Sequence, residues 1–364
     1  MKIGILTHHL GVNQGAILQM YAMKCWLEQL GHEVYVLRYT KVFDFAPEET
    51  SKYYFSIKHF PFYIKEYLLK NGIGLFWYNL KKQMRYSKYV RDTFSFKNYA
   101  TNPMDLVVIG SDEVFSLEAG CNMMMYGHGV NAKAIVSYAP SFGQTDIDKI
   151  KTFNCRELIE SGLVKLNHIS VRDEKSAVTV ETLIGVKPQI VCDPVMLYDF
   201  INTKADVKLP KKPYLLIYAY SRNFATPDEY EGIKKYAKFK GLITVSAGTY
   251  HKWCDKNIVC DPIRWLEYFR NAAEIITDTF HGAILSIIFN KPSAYVVRKL
   301  NTNKLSYLLN SMSLNDRIII KTKFDELKTV FSQATDFTIV NERWLRLRKI
   351  SVDYLNKCLA EGDV

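Results

Sequence analysis

Short apolar runs rich in β-branched residues alternate with helix-period patterns along most of the chain, which is how parallel sheets with crossover helices read in sequence. Lys2–Thr7 predicts a first strand. Ala16–Leu30 predicts a helix, with Ile17, Met20, Tyr21, the Lys24 stem and Leu27 at helical spacing and Gly31 ending it. Glu33–Tyr39 predicts the second strand. Phe43–Tyr99 then breaks the pattern, being aromatic, helical in period and basic. Alternation resumes with predicted strands at Asp105–Gly110, Ala134–Ala139, His168–Arg172 and Gln189–Cys192. Asn202–Pro213, with four lysines, Asp206, Pro210 and Pro213, reads as a linker. A second series follows at Tyr214–Tyr218, Leu242–Ser246, Asn257–Val259, Glu274–Thr277 and Ser293–Val297. Asn341–Leu359 closes the chain as an amphipathic helix carrying Trp344, Leu345, Leu347, Ile350, Tyr354 and Leu355. The pattern predicts an α/β protein of two Rossmann-like domains. Residues 1–205 form the first, with the insertion at about 43–99, and 210–335 form the second; the helix of 340–364 packs back toward the first.

Composition narrows the class. The chain has 364 residues, 48% apolar and 23% charged, an ordinary balance for a globular protein. No uninterrupted apolar run approaches the length of a spanning helix, and Met1–His9 turns polar too quickly for a signal peptide, so the expected location is the cytoplasm. Seven cysteines (Cys25, Cys121, Cys155, Cys192, Cys254, Cys260 and Cys358) form no C-x-x-C pair, which argues against a disulfide framework and a zinc site. The net charge of +11 is not matched by any nucleic-acid-reading module, which leaves anionic small substrates or an anionic membrane surface. Residues 43–99 carry ten Lys/Arg against five Asp/Glu, a balance of +5. They read either as a helical subdomain buried on its aromatic side or as a surface that meets anionic lipid at the inner face of the membrane.

In open α/β sheets ligands gather where strand carboxyl ends lead into helix N-termini, and four such loops are polar. His8–Ala16 contains Gly11, Asn13, Gln14 and Gly15 before a helix whose positive end faces the loop; it is either a plain turn or a ligand loop. Gly110-Ser111-Asp112-Glu113 follows an apolar strand, and Asp112 either caps a helix or serves as a base. Arg172 ends a strand and is either solvated or a clamp for phosphate or carboxylate. Thr277–Gly282, reading Thr-Asp-Thr-Phe-His-Gly, leads into an apolar helix. Histidine is the residue type suited to proton transfer near neutrality, so His281 is the strongest acid/base candidate in the chain. His32, His59 and His168 look like surface or strand-edge residues. His8, His9 and His251 lie near loops of this kind, without the spacing of metal ligands.

At these residues the sequence resembles the polysaccharide pyruvyl transferase family. The matching pieces are Asn13–Gln19, Gly110–Phe115, Ser170–Asp173, Asp193–Leu197, Asn271–Ala273, Thr277–Gly282 and Asn290–Pro292, in family order. The resemblance implies a GT-B-like fold, two Rossmann-like domains with a central cleft, and transfer of the enolpyruvyl group of phosphoenolpyruvate to two hydroxyls of one sugar. It makes His281 the acid or acid/base, with Asp112 a second catalytic residue that contacts the acceptor or positions a hydroxyl, as Asn13 does. Arg172, Asn13, Gly15, Ser111, Thr279, Gly282 and Lys291 become substrate-binding residues. It implies no cofactor beyond phosphoenolpyruvate as donor substrate, and a sugar or lipid-linked glycan as acceptor. Thr279 stands where many family members have arginine, so anion binding is expected to fall to Arg172, helix N-termini, and Lys291, Arg222 or Arg298. Two other readings share the fold: a glycosyltransferase using a nucleotide sugar, and a non-catalytic glycan-binding homologue.

Overall fold

The computed structural model describes residues 1–39, 72–119, 123–298 and 302–362. They divide into two compact units. Residues 1–39, 90–198 and 345–362 belong to the first, and 72–89 with 199–344 to the second.

The first unit contains β1 (Lys2–Leu6), α1 (Gln14–Gln29) and β2 (Glu33–Arg38). Helix α2 (Gly72–Thr93) follows, then β3 (Phe96–Asn98), β4 (Met104–Ile109) and β5 (Ala132–Ser137). Two short helices, α3 (Ile147–Thr152) and α4 (Arg156–Leu163), precede β6 (Ser170–Val171), α5 (Glu174–Ile184), β7 (Gln189–Ile190) and α6 (Pro194–Leu197). The sheet order is β3-β2-β1-β4-β5, all parallel. The β6–β7 pair extends it through a bridge between Val136 and His168. Ile3, Ile5, Leu106, Val107 and Val108 of the two central strands are fully buried, because both faces of such a sheet are covered by crossover helices.

The second unit runs β8 (Tyr214–Tyr218), α7 (Pro227–Phe239), β9 (Ile243–Ala247), β10 (Lys256–Ile258) and α8 (Pro262–Arg270). It continues with β11 (Glu274–Thr277), α9 (Phe280–Ile288), β12 (Ser293–Val296), α10 (Thr302–Ser311), β13 (Ile318–Ile319) and α11 (Phe324–Ser332). Its order, β10-β9-β8-β11-β12-β13, is again parallel and repeats the logic of the first sheet with one strand added. All nine residues of α9 are buried, as a helix that is apolar nearly all round must be. Helix α12 (Phe337–Gly362) closes the chain; its residues from Leu345 onward count with the first unit.

The structure departs from the sequence reading inside residues 43–99. Residues 40–71 lie outside the described part of the chain. Of the rest, 72–89 belong to the second unit and not to the first, held there by Tyr78 Oη donating to Ile258 O (3.0 Å) and Arg85 Nη1 to Val259 O (2.8 Å). The end of the segment is also not helical: β3 pairs with β2 in parallel. Among the described residues, no helix is long and apolar enough to cross a membrane.

Candidate active site

Each sheet reverses its strand order once, and crevices for ligands open at the carboxyl ends of the strands flanking that reversal. In the first unit the reversal lies between β1 and β4, in the second between β8 and β11. The residues singled out from sequence fall at these two places, with one exception.

In the first unit, Asn13 caps α1. Its Oδ1 accepts from Gly15 N (3.0 Å) and Ala16 N (3.4 Å), so the Asn-Gln-Gly-Ala string is first a helix start. Asn13 is nonetheless exposed, so its amide nitrogen stands at the carboxyl edge of β1. Gly15 is buried, its N–H given to that cap. Past β4, only glycine fits at 110, where φ is +120° and a Cβ would lie 2.2 Å from Tyr138 O. Asp112 also has a left-handed backbone (φ 72°), a conformation that costs energy in a non-glycine residue and that clusters at functional sites. It caps no α-helix. Its carbonyl accepts from Ser141 N (2.8 Å), and its carboxylate stands 3.6 Å from Arg172 Nη2.

Arg172 is the centre of this cluster. Its Nη1 donates to Asp193 Oδ2 at 3.0 Å, and the same oxygen accepts from Ser111 Oγ at 3.1 Å. The other Asp193 oxygen caps α6 through Val195 N (3.0 Å). The Arg172 side chain is 3% exposed, that of Asp193 0% and that of Asp112 17%. Burial opposes the guanidinium charge, but Asp112, Asp193, Glu113 and Asp173 outweigh it and hold Arg172 more firmly protonated than usual. Arg172 is thus not a solvated surface arginine but a buried tie between two carboxylates. Ser111 is fully buried, its hydroxyl given to Ala139 O (3.0 Å) and Asp193, so it supports the cluster and offers nothing to a ligand.

In the second unit, the strand-to-helix turn after β11 is locked by its threonines. Thr277 Oγ1 donates to Tyr218 O (2.6 Å) and accepts from Thr279 N (3.1 Å), while Thr279 Oγ1 caps α9 through Gly282 N (3.0 Å). A Cβ at Gly282 would come within 2.2 Å of Thr277 Oγ1 and 2.6 Å of Thr279 Oγ1. Thr279 and Gly282 thus build the turn. The turn delivers His281 in the first turn of α9, 8% exposed, its ring edge-on to Phe280 at 5.6 Å.

Beside it lies an acid that the sequence reading left without a role. Asp278 is fully buried, and its Oδ2 accepts from Asn223 Nδ2 (2.5 Å) and Arg298 Nε (3.2 Å). Burial raises its carboxyl above the ordinary range, and Asn223 and Arg298 oppose that rise without cancelling it. Arg298 also meets Glu229 at 2.9 Å and lies over the Phe224 ring at 5.2 Å. A cavity of about 490 Å³ opens next to it, lined by Arg298, Glu229, Asp228, Lys321 and Lys323. Exposed Arg222, just past β8, lies over the Tyr220 ring at 5.9 Å.

Lys291 is the exception. It precedes β12, whose first residue pairs with Ile275 at the start of β11, so it sits at the amino edge of the sheet while His281 follows the carboxyl edge. There burial, and then Arg270, lower its ammonium. A parallel sheet separates these two edges by the full strand length, and Lys291 is not part of the His281 cluster.

Among the other histidines, His8, His9 and His251 are held by the fold, and His59 lies outside the described residues. His8 bonds Tyr39 Oη and Glu113 O, and His9 bonds Thr7 O. His251 is 2% exposed, donates Nε2–H to Ala219 O (3.3 Å), and burial pushes it down to about 4. Because an unfolded histidine takes its proton near 6.5 and this one does not, stability is full above that pH and is lost as pH falls from about 6.5 toward 4. The expected loss over that window is about 3 kcal/mol, visible in urea unfolding at successive pH values. His251→Gln should flatten that slope; an unchanged slope would assign acid sensitivity elsewhere.

A larger groove, of about 1140 Å³, runs beside α5 and α12 past His168, Pro188 and Tyr354, away from the strand-order reversal. Among the described residues no cluster of His, Cys, Asp and Glu is arranged to hold a metal ion.

Residues 13–299 match polysaccharide pyruvyl transferase, the description covering both clusters. The chain belongs to this family. The family is one of transferases, and its pattern encloses Asn13, Asp112, Arg172, Asp193, Asp278 and His281. Among solved structures, the glycotransferase of kitacinnamycin superposes with a TM-score of 0.50 at 11% identity, covering 97% of this chain and 95% of that one. The trehalose-6-phosphate phosphatase N-terminal domain of Candida albicans gives 0.49 at 10% identity, over 99% and 96%. A spinosyn rhamnosyltransferase gives 0.48 at 10% identity, over 97% and 96%. At such identity the likeness is one of fold, and the fold is of the GT-B type. No curated protein sequence matches the chain.

Proposed function

We propose that this transferase moves the enolpyruvyl group of phosphoenolpyruvate onto two hydroxyls of one sugar, forming a cyclic pyruvate ketal and releasing phosphate. The observation that carries the reading is the family match over residues 13–299, with His281 delivered to the strand-order reversal of the second sheet.

The chemistry needs a proton for the enol methylene, stabilisation of the cationic carbon beside it, a base for the attacking hydroxyl, and cations for a carboxylate and a phosphate. His281 supplies the proton. Asp278, held by Asn223 and Arg298, places a carboxylate near the turn that carries His281. The first hydroxyl attacks the central carbon, its proton making up for the one His281 gives the methylene; phosphate leaves with its bridging oxygen and takes the proton of the second hydroxyl, which closes the ring. Asp112, the more exposed carboxylate on Arg172, accepts a hydroxyl proton, and Arg172, 3.6 Å away, orients it. Asn13 contacts the acceptor. With Thr279 building the turn, the donor's negative charges fall to Arg298 and Arg222, with Lys321 and Lys323 close by. No further cofactor enters this scheme. The acceptor is a cell-surface polysaccharide or its lipid-linked precursor, and phosphoenolpyruvate as donor places the reaction in the cytoplasm.

Incubating the full chain with phosphoenolpyruvate and a glycan pool should release phosphate in step with an acid-labile carboxylate on the glycan. Nucleotide release from a nucleotide sugar, with phosphoenolpyruvate untouched, would replace this reading by glycosyl transfer. Glycan binding with neither product would leave a non-catalytic homologue.

A further inference from the structure

Helix α2 is built with apolar side chains on two opposite faces. At about 100° per residue, Leu75, Tyr78, Lys82, Tyr86 and Tyr89 share one face. Leu75, Tyr78 and Tyr86 are buried there, and Tyr78 is bonded to Ile258 O. On the opposite face stand Ile73, Phe76, Trp77, Leu80 and Met84, which are 67%, 40%, 53%, 41% and 67% exposed. Their spacing confines them to a strip about 100° wide. A helix lying on a domain ordinarily turns polar residues outward, and single exposed apolar residues need no explanation, but a continuous strip marks an interaction surface.

The charges beside the strip say what it meets. Exposed Lys81 and Lys88 run along one flank, and Arg91 continues the line of the strip beyond Met84. Asp92 is the one acid in the helix, and it is paired with Arg91 at 3.2 Å. Tryptophan, phenylalanine and aliphatics framed by lysine and arginine suit the boundary between lipid headgroups and acyl chains when the headgroups are negative. A second copy of the chain seated on the same strip about a two-fold axis would bring like lysines toward each other, which disfavours self-association.

We propose that the outward face of α2, from Ile73 to Arg91, docks this protein on an anionic lipid surface, with the apolar strip entering the headgroup region and Lys81, Lys88 and Arg91 meeting the negative charge. The inference is independent of the reaction catalysed. The test is co-sedimentation of the full chain with phosphatidylcholine vesicles, with and without phosphatidylserine. Phosphatidylserine should raise the bound fraction at least about fivefold. Phe76→Ser/Trp77→Ser/Leu80→Ser and, separately, Lys81→Glu/Lys88→Glu should each lower the partition coefficient at least about tenfold, with unchanged melting temperatures. The lysine pair stands in solvent, so it keeps the test decisive if the apolar variant unfolds. Binding indifferent to phosphatidylserine, no binding, or variants that bind like the wild type would overturn the proposal. So would vesicle-free sedimentation showing that the apolar variant abolishes a dimer.

Discussion

His281→Ala is expected to lower phosphoenolpyruvate-dependent phosphate release by about 100-fold or more while leaving the fold intact. A positioned acid contributes about 10²–10⁴ to rate, which corresponds to roughly 3–5 kcal/mol of transition-state stabilisation. Alanine is well tolerated within a helix, and α9 keeps its cap because Thr279 and Gly282 are untouched. The comparison that matters is therefore turnover against melting temperature. Phosphate release within threefold of wild type, in a variant that melts normally, would remove His281 from the chemistry. An equal fall in both would mean that the imidazole was packing against Phe280 and doing little else.

Arg172→Met should cost about 3–5 kcal/mol of stability, the penalty for leaving a buried carboxylate without its cation. Asp193 has no exposure through which to recover that loss; the bonds from Ser111 Oγ and Val195 N remain but carry no compensating charge. Adding Asp193→Asn to Arg172→Met should restore part of the loss, because the stranded charge goes with it while the amide oxygen still caps α6. Urea unfolding of wild type, the single variants and the double variant measures this directly. A cost below about 1 kcal/mol for Arg172→Met would show that the pair contributes little, and would return Arg172 to the role of ligand clamp.

Most strands were legible because each is a compact β-branched run between polar loops, whereas the strand order that places the two reversals was not. His281 was legible for the same reason: its position follows from one strand ending and one helix beginning. What a side chain does inside its loop was not legible. Arg172 acquires Asp193 from 21 residues downstream, and nothing local in Ser-Val-Arg-Asp announces that partner. Asp278 sat inside a quoted motif, yet its importance depends on Asn223 and Arg298, 55 and 20 residues away. Phe96–Asn98 is three residues long in an aromatic stretch, too short for alternation to reveal a strand. The placement of Lys291 could have been read earlier. A residue two positions before a strand belongs to the amino edge, whatever family string it forms part of.

Every strand pair in the described sheets is parallel, so no two sheet neighbours are joined by a tight hairpin. Each pairing must wait for a crossover to close. The pairing of β1 with β4 joins Ile3 to Leu106 across about a hundred residues. Chains of this topology fold slowly and expose apolar strand edges while they do so. Neither strand-order reversal can form from a local hairpin, so each depends on crossovers that close over long stretches of chain.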